Sequence, residues 1–385
     1  MIRNAFVAAG CIATLLGTTT AAAQTIPART LTKPEAEANE TFTGIDAVHE
    51  FKDGRVLVVD AVDRSVHLID LATGQARKIG RRGSGPGEHM WPFGIVTLGG
   101  DSVGIADGGN HRILVMQPDG RLTSTFLLQF PGADLREAED VWLGGSDSRG
   151  RLYAVGPEFT RRRGQASLLA DSLPILRWTP GTTKSDTLAW FRPQKFIVSS
   201  STRGGRPSID YRRDEFAPLD QWAVAADGMV VVAKPDPYHM AWIDASGVRR
   251  SSPPIPVTPQ SFTEAHKREW REAQKGFTTA EGDGGPPVTV PKRDPRAPDP
   301  QWPAVLPPFL AKSLHVAPDG NLWLRRTGPV SAPPTYDVIN RQGRVVYQAV
   351  LPKQSRVVGF GAGGAVYVAF KDEDDVEHLQ RYRLQ

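Results

Sequence analysis

The chain has 385 residues and a single cysteine, Cys11, which lies in the first apolar stretch. Everything after it therefore has no thiol, no disulfide and no cysteine-bound metal, so stability must come from packing and strand pairing. After Ala5 to Leu16 there is no second apolar run long enough to cross a bilayer, so no membrane span is expected beyond it. The net charge is only +4. Basic spots such as Arg161-Arg162-Arg163 and Arg212-Arg213 are not interleaved with aromatics, and no nucleic-acid partner is expected. There is no Gly-x-Ser-x-Gly elbow, and no serine-histidine-acid arrangement is favoured.

What is present first is a leader. Arg3 supplies a positive start, Ala5 to Leu16 an apolar stretch, and Ala21-Ala22-Ala23 a small-residue cleavage site before Gln24. Residues 1–23 read as a secretory signal, which predicts export to the periplasm or the extracellular space. Ala8-Ala9-Gly10-Cys11 has the outline of a lipoprotein box. It lacks the usual leucine and comes too early in the apolar run, so lipidation is not expected.

The remainder, 24–385, is rich in glycine (38 in the chain) and proline (32), the composition of many turns and short strands. One rhythm recurs: a strand, an Asp-Gly or similar turn, a valine-rich strand, a polar loop, a third strand and another glycine turn. The first copy holds Asp53-Gly54, Val56 to Asp60 and Val66 to Asp70; the second holds Val103 to Asp107, Arg112 to Met116 and Asp119-Gly120. A looser third has Gly150 to Val155 and Ile175 to Trp178, interrupted by Arg161 to Asp171. The fourth centres on Asp227-Gly228, the fifth on Asp319-Gly320 and the sixth on Gly363-Gly364. Such hairpins make sheets too small to stand alone, and a ring of them buries both faces of each. The expected fold is an all-β, six-bladed β-propeller in a single domain, monomeric. The sixth copy has only three strands, so a segment between Ala28 and Thr43 is expected to supply its outer strand and close the ring.

Two stretches break the rhythm. Arg192 to Leu219 is polar. Residues 251–310 contain thirteen of the 32 prolines, which excludes regular strands over most of it. A helix is expected there over Ala265 to Lys275, opened by a capping box of Ser261 and Glu264 and ended by Gly276. An insertion of this length on a rigid scaffold suggests a binding loop or lid.

Asp107-Gly108-Gly109-Asn110-His111-Arg112-Ile113-Leu114 resembles the signature of an NHL repeat, and the preceding Gly80 to Glu88 with Pro92 resembles its glycine-rich linker. The likeness is to exported bacterial six-bladed propellers of unknown role. It is specific in the second copy, partial in the first through Asp60 and Arg64-Ser65-Val66, and one of rhythm elsewhere. Gly83-Ser84-Gly85-Pro86-Gly87 lacks the Lys-Ser/Thr and following helix of a phosphate cradle, so it reads as an interblade turn. Asp107 with Arg112, and Asp60 with Arg64, are expected to bond across their loops.

Aligned on their turns, His49 and His315 occupy equivalent places in the inner strands of the first and fifth copies, where others have Val96, Ala223 and Gly359. The resemblance extends to an amidating lyase with a histidine-bound metal. These two histidines are therefore candidate ligands for a divalent metal or for a substrate proton. A catalytic zinc takes three protein ligands, and only inward-turned carboxylates (Asp46, Glu50 or Asp220) could complete the set. A calcium-dependent lactonase is the other enzyme reading. Its oxygen cage is poorly served by Asn39, Asn110, Asn321 and Asn340, none of which falls in an inner strand as drawn. The acidic Asp372 to Asp375 cluster reads as a solvated turn. The preferred reading is a binding protein that takes a peptide, a glycan or a protein partner at its channel mouth and inserted flap, through His49, His315, Trp91, Trp302 and Phe309. The alternative is a metal-dependent lyase or hydrolase with its site in the channel.

Overall fold

The computed structural model describes residues 26–131, 142–156, 159–160, 168–203, 206–280, 288–291, 293 and 299–384. Residues 1–23 and most of Arg161 to Asp171 lie outside that set. The strands form six four-stranded antiparallel meanders arranged as a propeller. Blade 1 is Ile45–Glu50, Val56–Asp60, Ser65–Asp70 and Gln75–Lys78; blade 2 is Pro92–Thr97, Val103–Asp107, Arg112–Met116 and Leu122–Leu127. Blade 3 is Trp142–Ser146, Leu152–Val155, Leu173–Trp178 and Ser185–Phe191; blade 4 is Gln221–Val224, Val230–Pro235, Tyr238–Ile243 and Arg249–Ser251. Blade 5 is Phe309–Val316, Leu322–Arg326, Thr335–Ile339 and Val345–Val350. Blade 6 takes Ser355–Phe360, Ala365–Lys371 and Glu377–Arg383 from the C-terminal part of the chain and Ala36–Phe42 from the N-terminal part.

Local chemistry explains the hairpins. Gly54, Gly228 and Gly320 turn the first hairpins of blades 1, 4 and 5 at φ of +87°, +86° and +82°, where a Cβ is strained. The aspartate before each caps the turn: Asp53, Asp227 and Asp319 accept the backbone N–H of Arg55, Met229 and Asn321. Blade faces then bury continuous apolar strands. Val56, Leu57, Val58 and Val59 are all fully buried, split between the cluster shared with blade 6 and the one shared with blade 2.

Closure by the N-terminal strand is as expected. Ala36 pairs with Arg381 and Phe42 with Glu377. A further strand, Ala28–Thr30, was not anticipated. It runs parallel to Val345–Val350 and extends blade 5 to five strands.

The NHL-like residues prove structural. Asp107 is fully buried and accepts the N–H of Met90 (3.0 Å) and of Trp91 (2.9 Å). Arg112 pairs with Asp107 at 3.4 Å and donates to the carbonyls of Ser84, Gly85 and Glu88. The glycine-rich linker thus turns carbonyl oxygens toward a cation, the reverse of a phosphate cradle. In blade 1, Asp60 accepts the N–H of Thr43, Gly44, Val62 and Asp63, while Arg64 lies over the ring of Trp91.

One expectation is corrected. The helix runs Glu264–Ala273, but its cap is Thr263 with His266, and Ser261 lies in the short strand Gln260–Ser261. The expected box failed because histidine can supply the acceptor usually sought in Glu or Gln. Within the polar stretch Arg192 to Leu219, Phe196–Arg203 and Arg206–Arg213 form a two-stranded hairpin.

Candidate functional site

In an antiparallel meander the first and third connections lie at one end of the ring. The second connection and the passage to the next blade lie at the other. Both large insertions are passages, from blade 3 to 4 and from blade 4 to 5, so they share one end. His49 is next to last in Ile45–Glu50, and His315 next to last in Phe309–Val316. Both therefore sit at the opposite, hairpin end. The channel mouth near these histidines and the flap are not one site.

At the insertion end the flap packs against the segment that follows the hairpin. The Trp302 ring stacks on Phe262 (5.4 Å between centroids, 23°) and meets Trp270 edge-on at 5.3 Å. Phe216 closes the group at 4.9 Å from Phe262. The Trp270 indole N–H donates to Glu215. Thr263 donates its N–H to His266 Nδ1 (3.0 Å), leaving the Nε2 proton to donate to the Gly328 carbonyl (3.0 Å) on blade 5. These bonds hold the flap as a wall.

Between that wall and blade 3 lies a cleft of about 700 Å³, within the size range of small-ligand sites. Trp302 and Phe216 face Arg192, Gln194 and Lys195 across it, with Asp171 and Asp214 also at its edge. Behind Arg192, the carboxylate of buried Asp220 accepts from Lys234 and from the Arg192 backbone N–H (2.9 Å). The Arg192 guanidinium is 3.7 Å from Asp220 Oδ1, an oxygen with no hydrogen-bond partner.

The candidate residues separate. Trp302 lines the cleft. Trp91 is 47% exposed at the same end, but at the entry to blade 2 and outside the cleft lining. Phe309, expected in a loop, begins the inner strand of blade 5 and is fully buried against Tyr238 and Leu324. It cannot present a surface, and the insertion accordingly ends before it. His49 packs edge-on to Phe51 at 5.0 Å and lines a second pocket at the hairpin end together with Glu50. His315 packs against Tyr336 and Phe360, the latter a residue of the intervening blade 6. Among the described residues no three His, Cys, Asp or Glu side chains form a group that could hold a metal ion. Sequence reasoning missed Arg192, Gln194, Lys195 and Phe216. Their one signal was the break in the repeat after blade 3.

Burial lowers the pKa of both histidines, and that of His315 falls from 6.5 to about 4. Between those values the unfolded chain binds the extra proton, so stability rises with pH through this window. The His315 contribution is complete above pH 6.5 and is lost as pH falls through 4. Chemical denaturation between pH 7.5 and 4.5 should show a loss on the order of 3 kcal/mol that His315→Phe removes. An unchanged pH slope in the variant would contradict this.

The chain is a six-bladed β-propeller, and known proteins extend that in fold only. No family model matches it. A stretch of 62 residues is 42% identical to the RING finger protein nhl-1 of Caenorhabditis elegans, covering 16% of this chain and 6% of that protein. Among solved structures, it is similar to a DUF4221-family member from Bacteroides vulgatus: 8% identity, TM-score 0.50, covering 92% of this chain and 98% of that one. A gluconolactonase from Xanthomonas campestris has 12% identity and a TM-score of 0.45, with 92% and 96% covered. Regucalcin, a calcium-binding protein from Agrobacterium tumefaciens, has 10% identity and a TM-score of 0.43, with 93% and 97% covered.

Proposed function

We propose that this chain is an exported, NHL-like propeller whose work is binding, and that its ligand docks in the cleft between flap and blade 3. The observation that carries this is the cleft itself. Two insertions that break an otherwise regular repeat meet at one end and enclose it. It combines an aromatic wall with convergent Arg192, Gln194 and Lys195, the mixture by which a site holds and orients a peptide or glycan. The metal-dependent lyase or hydrolase reading lacks a three-ligand cluster among the described residues.

The test fills the cleft. Gln301 lines it and is exposed, so Gln301→Trp adds bulk without disturbing a core. Peptide and glycan arrays screened with the wild-type chain should yield binders that weaken about tenfold or more in this variant, with thermal stability unchanged. Equal binding by both proteins would remove the cleft from the function. Turnover of a bound compound would replace binding by catalysis. For export, N-terminal sequencing of protein secreted by a bacterial host should begin at Gln24, and retention of residues 1–23 would refute the signal.

A further inference from the structure

The repeat fails in a second place. In blades 1, 3, 4 and 5 an aspartate caps the inner hairpin turn: Asp53, Asp147, Asp227 and Asp319 each accept a backbone N–H two residues on. Blade 2 turns on Gly99-Gly100 and blade 6 has glycine and alanine there, Gly361 to Gly364. Glu50 of blade 1 reaches this last turn and accepts the N–H of Ala362 at 3.2 Å, and a pocket of about 480 Å³ lies at the hairpin end, between the inner turns of blades 5 and 6 and the inner strand of blade 1.

Its walls have a distinct chemistry. Trp323, Tyr347 and Phe360 supply three aromatic rings, His49 a fourth whose pKa burial lowers, and Glu50 and Asp319 two carboxylates. No lysine or arginine lines it. Arginines beside its residues have partners of their own, Arg341 with Asp227 among them. Arg381 pairs with Glu35 and lies 3.4 Å from Glu50, which also accepts the Tyr367 hydroxyl proton. Arg29 places its guanidinium 4.4 Å from the centre of the Tyr347 ring. Asp319 is exposed at the rim, and among the described residues its carboxylate bonds only to Asn321, within its own turn. The rim is open: a Cβ built at Gly363 or Gly364 meets nothing within 4 Å.

We propose that this pocket is a binding site for a small organic cation with an apolar body, an arylalkyl amine or a quaternary ammonium compound. The aromatic rings take the apolar body and the face of the cation, and Asp319 at the rim supplies the counter-charge. A carboxylate or phosphate ligand would meet the like charge of Asp319 and no lysine or arginine in the lining. This site is at the opposite end of the ring from the cleft and stands independently of it.

The experiment is calorimetric titration of the full chain at pH 7 with phenethylamine, benzyltrimethylammonium and, as the neutral counterpart, 2-phenylethanol. Both cations should bind saturably, and 2-phenylethanol about tenfold or more weakly. Asp319→Asn keeps an oxygen for the turn N–H but removes the charge, and should weaken phenethylamine about fivefold while leaving 2-phenylethanol unchanged. Tyr347→Leu should weaken both cations more than it weakens 2-phenylethanol, a difference that lost packing alone would not produce. Equal affinity for 2-phenylethanol, an unaffected Asp319→Asn variant, or no saturation by either cation up to roughly 10 mM would each overturn the proposal.

Discussion

Removal of residues up to Thr43 is expected to abolish cooperative unfolding of this propeller. The lost segment contains the fourth strand of blade 6, Ala36–Phe42, and the strand Ala28–Thr30 on blade 5. It also carries Leu31, Ala38 and Phe42, all buried, into the clusters on either side of blade 6. Without it, Glu377–Arg383 becomes an exposed edge strand and the last blade loses one face of its core. No disulfide can compensate. A single-residue version isolates packing from pairing. Phe42 is 4% exposed, lies among Ile45, Val58, Tyr367 and Leu379, and meets His67 edge-on at 5.5 Å. Phe42→Ala should cost about 3–5 kcal/mol in urea unfolding, whereas exposed Thr41→Ala on the same strand should stay within about 0.5 kcal/mol. Equal effects of the two substitutions would mean that the strand does not close the ring.

Asp107→Ala should be nearly as severe, at about 3–5 kcal/mol. One carboxylate satisfies the N–H groups of Met90 and Trp91, accepts from Asn110 Nδ2 at 2.6 Å, and faces Arg112, whose side chain is only 15% exposed. Alanine leaves two backbone donors and most of a guanidinium without their acceptor. Because Asn110 and Arg112 also hold Gly83 to Glu88, the passage from blade 1 to blade 2 should loosen, and proteolysis within residues 80–91 should accelerate. Asp107→Asn keeps one acceptor oxygen and should lose less. If alanine and asparagine cost the same small amount, the charge and its bonds do not hold the passage.

Much of this architecture is legible without coordinates. Val56 to Asp60, Val103 to Asp107 and Arg112 to Met116 are strands with those bounds. Their limits follow from turn residues and apolar runs, both local properties. The equivalence of His49 and His315 also holds. His49 pairs with Leu57 and His315 with Trp323, the same register around their turns. Legibility ends where the repeat ends. Phe309 looked like loop because prolines precede it, yet a bulge between Phe309 and Leu314 lets the strand begin early and buries the ring. The Arg192 to Leu219 hairpin was hidden because its strands are polar and alternate weakly. His266 as a capping partner depended on the side chain reaching back to Thr263, which residue type alone did not announce.

The amino-acid sequence by itself determined the number of blades, the place of their hairpins and the origin of the closing strand. Each of these is set by residues adjacent in the chain or by the need to complete a four-stranded sheet. Only the tertiary structure decided which candidate residues meet. It placed the insertions and the two histidines at opposite ends, gathered Arg192, Lys195, Phe216 and Trp302 around one cleft, and opened the pocket beside His49. Those proximities join residues more than three hundred positions apart, His49 and Leu384 among them. They depend on meander direction, the path of each passage and the closing of the ring, which no local run of residues encodes.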